Sequence, residues 1–169
     1  MQKLNRAEVE IVLASGSSLT GSDLSEINLS DIDFSGVAMI SCDLRYSNLT
    51  GAKLDAVNLS HSNLGAADMS SASLKQANLT KADLRWAILK DSDFSDADMQ
   101  FVGLLEANIS GALLARANLT GSDLRRSDLS GASLVGANLS GSNLAMADLT
   151  GAVLEGVSFD TCNTYGTKF

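Results

Sequence analysis

The chain has 169 residues, of which 45% are hydrophobic, 19% charged and 5% aromatic, with 14 glycines, no proline and a formal net charge of -8. That apolar content supports one folded domain, while the acidic balance argues against nucleic acid as a direct partner, because phosphate binding needs clustered Lys and Arg. Two cysteines are too few for a disulfide scaffold, and neither a secretion signal nor an apolar run long enough to cross a bilayer is visible, so the expectation is a soluble, cytoplasmic protein without a membrane partner.

The first expected element is an N-terminal helical cap within residues 1–18. Asn5 with Glu8 three residues on reads as a capping box, Leu4, Ala7 and Ile11 have helical spacing, and Gly16 is placed to stop the helix. A cap is needed there because a bare terminal coil of a solenoid is an exposed sheet edge.

From Leu19 to Phe159 every fifth residue is Leu, Phe, Met or Ile, giving 29 five-residue units without an insertion. Two positions before each centre the side chain is small or modestly apolar, as at Ala52, Ala67, Ala77, Ala117 and Ala152. Both positions are therefore expected to face a core. The residue just before the centre is most often Asp or Asn, and the fifth position holds 10 of the 14 glycines. Glycine there suggests a corner at which some turns need positive φ. A period of five fits neither a helix nor a plain strand. A chain that turns once per five residues closes a square coil in 20. Stacked at a strand spacing of about 4.8 Å, about seven coils make a rod roughly 35 Å long. Leu24, Leu44, Leu64, Leu84, Leu104, Leu124 and Leu144 then form one column of core centres. The absence of proline follows, since proline would remove an N–H from the ladders between coils. The pattern fails at Thr164, so residues 160–169 are expected to be a C-terminal tail or cap, with its aromatic rings folded over the last coil.

Units such as Ala77-Asn78-Leu79-Thr80-Lys81, Ala117-Asn118-Leu119-Thr120-Gly121 and Ala147-Asp148-Leu149-Thr150-Gly151 resemble the A(D/N)LXX pattern of the pentapeptide-repeat family. The resemblance implies an all-β solenoid, the right-handed quadrilateral β-helix. The short, helix-capped form is most similar to cyanobacterial members of that family.

Residues with chemical potential are few. His61 is the only histidine and occupies an outward corner with no second ligand type beside it. Cys42 and Cys162 are six coils apart, about 29 Å on the spacing above, far beyond disulfide reach, and read as buried inert thiols. Asp91, Asp93, Asp96 and Asp98 lie close in sequence but lack the spacing, central glycine and terminal glutamate of a calcium loop. The expectation is no catalytic residue, no metal site and no cofactor, hence a non-enzymatic protein.

Two binding readings remain. Ten of the 20 acidic residues stand just before a centre, including Asp23, Asp43, Asp83 and Asp123, and a regularly acidic rod could imitate duplex DNA. The family resemblance supplies a precedent, since some members that protect DNA gyrase from quinolones are thought to act by such mimicry. Against it, the acids spread over all four sides. The other reading rests on one side of the rod, where Asp43-Leu44-Arg45-Tyr46, Asp83-Leu84-Arg85-Trp86 and Asp123-Leu124-Arg125-Arg126 recur every 40 residues. Arg45, Tyr46, Arg85, Trp86, Leu105 and Arg125 are the candidate face for an unidentified protein partner, because exposed aromatics beside arginine are the ingredients of a binding hot spot. The chain is expected to be a monomer, with end-to-end association left open.

Overall fold

The computed structural model describes residues 3–169, so the first two residues of the expected cap lie outside the described residues. Helix α1 runs Arg6–Ala14. Its capping box is formed, with the Glu8 N–H donating to Asn5 Oδ1 and the Asn5 N–H to Glu8 Oε2. At its other end the Gly16 N–H donates to the Leu13 carbonyl with Gly16 at φ +68°. The buried side of α1 differs from the expected one. Val9 is fully buried and Val12 and Leu13 pack on the core, whereas Ala7 and Ile11 face solvent. The physical reason is the entry of the chain. Leu4, just before the cap residue, and Val9, four into the helix, are both buried in the pattern of a hydrophobic staple, which sets the helix rotation. The Arg6 guanidinium adds bonds to the Asn28 and Ser30 carbonyls of the first coil.

Beyond α1 the chain coils as the five-residue frame requires. Parallel bridges join residues 20 apart, from Lys3 with Asp23 and Asp23 with Asp43 to Asp148 with Lys168. From Leu24 to Leu134 each centre donates upward, and from Asp43 to Val153 the residue before a centre donates downward: the Leu24 N–H meets the Asp43 carbonyl at 2.7 Å, and the Asp43 N–H meets the Ser22 carbonyl at 3.0 Å. The centre positions Leu24, Leu44, Leu64, Leu84, Leu104, Leu124 and Leu144 are all fully buried. Small residues fill the other inward position. Where these are serines, as at Ser47, Ser62, Ser122 and Ser127, the hydroxyl donates to a backbone carbonyl at 2.7 Å, which satisfies a polar group that burial would otherwise penalise.

The Asp or Asn before each centre has a local task. Its Oδ1 accepts the backbone N–H two residues on, an Asx turn repeated along the rod, for example Asn28 from Ser30, Asn78 from Thr80 and Asp128 from Ser130. The corner after each centre is a turn with positive φ in its third residue, closed by bonds such as the Ser47 N–H to the Leu44 carbonyl. This conformation is nearly universal, not confined to glycine: eighteen non-glycine residues, including Tyr46, His61 and Trp86, adopt φ between 54° and 64°. The ladder enforces it, since the corner N–H is itself used, as where Tyr46 donates to the Gly65 carbonyl at 3.1 Å.

Glycine at a corner therefore has a second reason at some positions. A Cβ on Gly121 would stand 2.7 Å from the Phe101 ring one coil below, whereas one on Gly131 would meet nothing. Gly131→Ala is expected to cost about 1 to 2 kcal/mol, the left-handed backbone penalty alone. Gly121→Ala costs measurably more because the ring must also move. Urea midpoints of the two variants check this, and equal losses would remove the crowding argument.

The C-terminal expectation is corrected. Residues 160–169 do not fold over the rod but continue its ladder, with Asn143 bridged to Asn163 and the Leu149 N–H donating to the Lys168 carbonyl at 2.8 Å. Thr164 takes a centre position and Phe169 the next, its ring edge-on to Phe159 at 5.3 Å. Leu154, Val157, Phe159 and Cys162 are only partly buried at this end. Cys42 is buried, as expected, and burial pushes its thiol up, but Cys162 is half-exposed because no further coil covers it.

Candidate protein-contact face

The bonds of the square coil decide what this side presents. The side chain before a centre and the one after it both leave the same strand outward, two residues apart, so an Asp and an Arg there meet directly. Arg45 grips Asp43 through Nε at 2.9 Å and Nη2 at 2.6 Å, and Arg85 grips Asp83 at 2.8 and 2.6 Å. Arg125 repeats the fork on Asp123, both bonds at 2.7 Å. In each pair the Asp Oδ1 also accepts the arginine's own backbone N–H, so the carboxylate is held from two sides. These contacts keep the carboxyls below their usual range: hydrogen bonding from the arginine is the leading cause at Asp43 and Asp123, while at Asp83 burial opposes ionisation and the Arg85 bonds outweigh it. Solvent-exposed forks add little stability, but they fix where the side chains lie.

The corner next to this strand carries the aromatics. Tyr46 is 66% exposed and Trp86 is 52% exposed. Trp86 is held in place, with the Arg85 guanidinium 5.3 Å from its ring centre and its Nε1–H donating to Glu106 Oε2 at 3.2 Å. Glu106 also accepts from Arg126 at 3.2 Å, so Trp86, Glu106 and Arg126 form a chain up three coils of one corner. Leu105 lies between Arg85 and Arg125, partly exposed, and Met146 continues the corner column, 55% exposed. All six residues expected on this face thus lie on it. Glu106 was not among them, although its position 20 residues after Trp86 places it one coil above. Tyr165 also belongs to the same column as Arg125, now that the last ten residues are seen to keep the frame.

The other sequence candidates stay apart. His61 is an exposed residue of the neighbouring corner, five residues before Ala66 in the coil below Trp86. The acidic stretch is dispersed by its partners: Asp93 accepts from Ser95 and pairs with Lys75, while Asp96 is gripped by Arg116 through two bonds of 2.6 Å. Among the described residues no group of three or more His, Cys, Asp or Glu is placed to hold a metal ion. Among the described residues no helix is long and apolar enough to cross a membrane.

A β-solenoid of five-residue units with one ordered aromatic and arginine corner is the class these observations define. The sequence matches the family model of pentapeptide repeats in overlapping segments that run from residue 17 to residue 163, and the chain belongs to that family. The coil is accordingly the right-handed β-helix. Among solved structures, full-length QnrB1, a plasmid-mediated fluoroquinolone resistance protein, is 18% identical, with 99% of this chain and 88% of that one covered at a TM-score of 0.50. HetL, a pentapeptide repeat protein involved in heterocyst differentiation regulation in the cyanobacterium Nostoc sp. strain PCC 7120, is 29% identical over 95% of this chain and 97% of its own, with a TM-score of 0.31. A pentapeptide repeat protein from the cyanobacterium Cyanothece 51142 is 22% identical over 95% and 96% of the two chains, at 0.40. A search of curated proteins found no match.

Proposed function

We propose that this protein is a non-enzymatic, cytoplasmic binding rod that engages another protein through the face of Arg45, Tyr46, Arg85, Trp86, Leu105 and Arg125. The observation that carries the reading is the preorganised corner: a half-exposed Trp86 fixed between Arg85 and Glu106, with Tyr46 two coils below. An exposed ring held in one orientation loses little side-chain entropy on docking, which is what distinguishes a hot spot from surface decoration. DNA mimicry is less well supported. The carboxylates it would use at Asp43, Asp83 and Asp123 are each neutralised by a neighbouring arginine, and those at Asp23, Asp33 and Asp148 serve as Asx acceptors. The likeness to QnrB1 is one of fold.

The test compares proteins retained from a lysate by the wild type and by an Arg85→Ala, Trp86→Ala double variant. Partners held by the wild type are expected to be lost or weakened tenfold or more, as truncation of hot-spot residues does. Identical partner sets would remove the reason for choosing this face.

A further inference from the structure

Tyr46 and Trp86 stand on one corner column two coils apart, about 9.6 Å on the strand spacing, with only Gly65 and Ala66 on the coil between them. The notch so formed holds about 210 Å³, below the range of about 300 to 1,000 Å³ usual for small-molecule pockets. It is a seat for one side chain of a larger partner, walled by two exposed rings.

The hydrogen bonds already made on this face determine what that partner must bring. Asp43 and Asp83 are each gripped by their own arginine, and Asn63 Oδ1 accepts the Gly65 N–H at 3.0 Å, so the side-chain oxygens beside the notch are engaged. Donors are left over: among the described residues nothing accepts from Arg45 Nη1, Arg85 Nη1 or Asn63 Nδ2. Each charge on the wall also has its opposite beside it. A charged group entering the notch therefore meets no excess charge, whereas an uncharged group rich in carbonyls and poor in N–H meets unused donors. Trp86 offers its ring alone, because its Nε1–H is taken by Glu106.

Polyproline II is the backbone conformation that meets these conditions. It makes no internal hydrogen bonds, so its carbonyls are free, and proline has no N–H to bury. Three residues per turn at about 3.1 Å each repeat one side about every 9.3 Å, against about 9.6 Å for two coils of the rod. A proline in the notch thus places the residue three further on over the coil of Leu105, two coils above Gly65, after crossing Trp86. Leu105 is partly exposed and supplies an apolar contact there, while Arg85 on the coil between offers its free Nη1 to the intervening carbonyls. Other backbones fit less well. A β-strand repeats one side about every 6.6 Å, out of step with the two-coil spacing, and brings N–H groups to a wall whose side-chain oxygens are in use. A helix has its carbonyls bonded internally and leaves the arginine donors unmatched. We infer that the protein partner of this face, a reading on which this inference rests, presents a proline-rich segment in the polyproline II conformation. A Pro-x-x-Pro pattern lies along the rod, one proline between Tyr46 and Trp86 and the other on Leu105.

Trp86 is the only tryptophan, so its fluorescence reports on the notch itself. Titration with a terminally blocked decaproline is expected to change Trp86 emission saturably below about 1 mM peptide. A glycine-serine peptide of equal length and an oligoglutamate are expected to leave it unchanged. Ala66→Arg fills the notch and Tyr46→Ala removes one wall, and each is expected to weaken decaproline binding by more than about tenfold. The fold tolerates arginine at residue 66, because Arg116 and Arg126 already occupy corners at φ 58° and 57°, and far-UV circular dichroism of the free variant verifies it. A wild type whose emission ignores decaproline overturns the inference. So does an equal response to either control peptide, and so does binding undiminished by Ala66→Arg, which puts the peptide elsewhere. The contact-face reading is judged separately: partners lost from the Arg85→Ala, Trp86→Ala variant in the lysate experiment uphold it even where decaproline fails.

Discussion

Leu84→Ala lowers the stability of the rod by about 2 to 5 kcal/mol, toward the upper part of that range, with a correspondingly lower urea midpoint. Leu84 is fully buried, as are Leu64 below it and Leu104 above it in the same column. At its own level it shares the cross-section with Leu89, Phe94 and Met99, all fully buried, and with Ala82, Ala87, Ser92 and Ala97. The cost of a large-to-small change depends on how far the surroundings can close around the cavity. Here all four walls are backbone tied to the coils above and below by ladder bonds of 2.6 to 3.1 Å, so little collapse is available. The same change at Leu154, in the partly exposed end of the rod, removes less buried surface and is expected to cost less than half as much. Because each coil touches only its neighbours, a central cavity also weakens the coupling between the two halves. A loss below about 1 kcal/mol for Leu84→Ala, or equal losses at residues 84 and 154, would contradict the rigid-wall account.

The same geometry explains what could be read from the residues alone. A core only one side chain deep on each side repeats its demands every five residues, so the centre column from Leu19 onward and the small inward residues are legible directly, as is the Asn5 and Glu8 capping box. The end at Thr164 was less legible because apolar centres report on packing, while the coil is propagated by backbone bonds. Thr164 interrupts the first and leaves the second intact. The rotation of α1 depends on where Leu4 and Val9 meet the first coil, a tertiary contact that periodicity within the helix does not contain. Corner φ is similarly imposed from outside: Tyr46 and Trp86 carry no local signal for a left-handed backbone, and the ladder requires it of them. Glu106 lies 20 residues from its partner Trp86, so its role exists only in the coil and leaves no trace in the local motif.

Acidification from pH 6 to pH 2 is expected to lower the thermal midpoint, with the fall concentrated below pH 4. The residue before each centre accepts hydrogen bonds that only a carboxylate or an amide oxygen takes well. At Asp23 and Asp33 the side-chain bonds from Ser25 and Ser35, then the backbone N–H of the same residues, hold the carboxyl below its ordinary value. At Asp43 and Asp123 the leading cause is the arginine fork. Asp148 is drawn down to about 2 by the Thr150 side chain, then its backbone N–H, then Lys168. Each of these groups binds a proton less readily folded than unfolded. Their stabilisation is therefore complete above the ordinary carboxylate value of about 4, and is lost as pH falls through the lowered folded-state values toward 2. Asp148→Asn separates this titration from general acid damage. Asn138 shows that an amide makes the same Asx turn, donated to by the Ser140 N–H at 3.0 Å, so the variant keeps its acceptor and is expected to stay near the wild type at pH 7. Its midpoint then falls less between pH 4 and pH 2, because one of the titrating groups is gone. Asp148→Ala behaves oppositely, losing stability already at pH 7 when the Thr150 N–H loses its partner. A midpoint flat from pH 6 to pH 2 in the wild type would show that these carboxylates contribute nothing through ionisation and that the turns hold equally well when they are protonated.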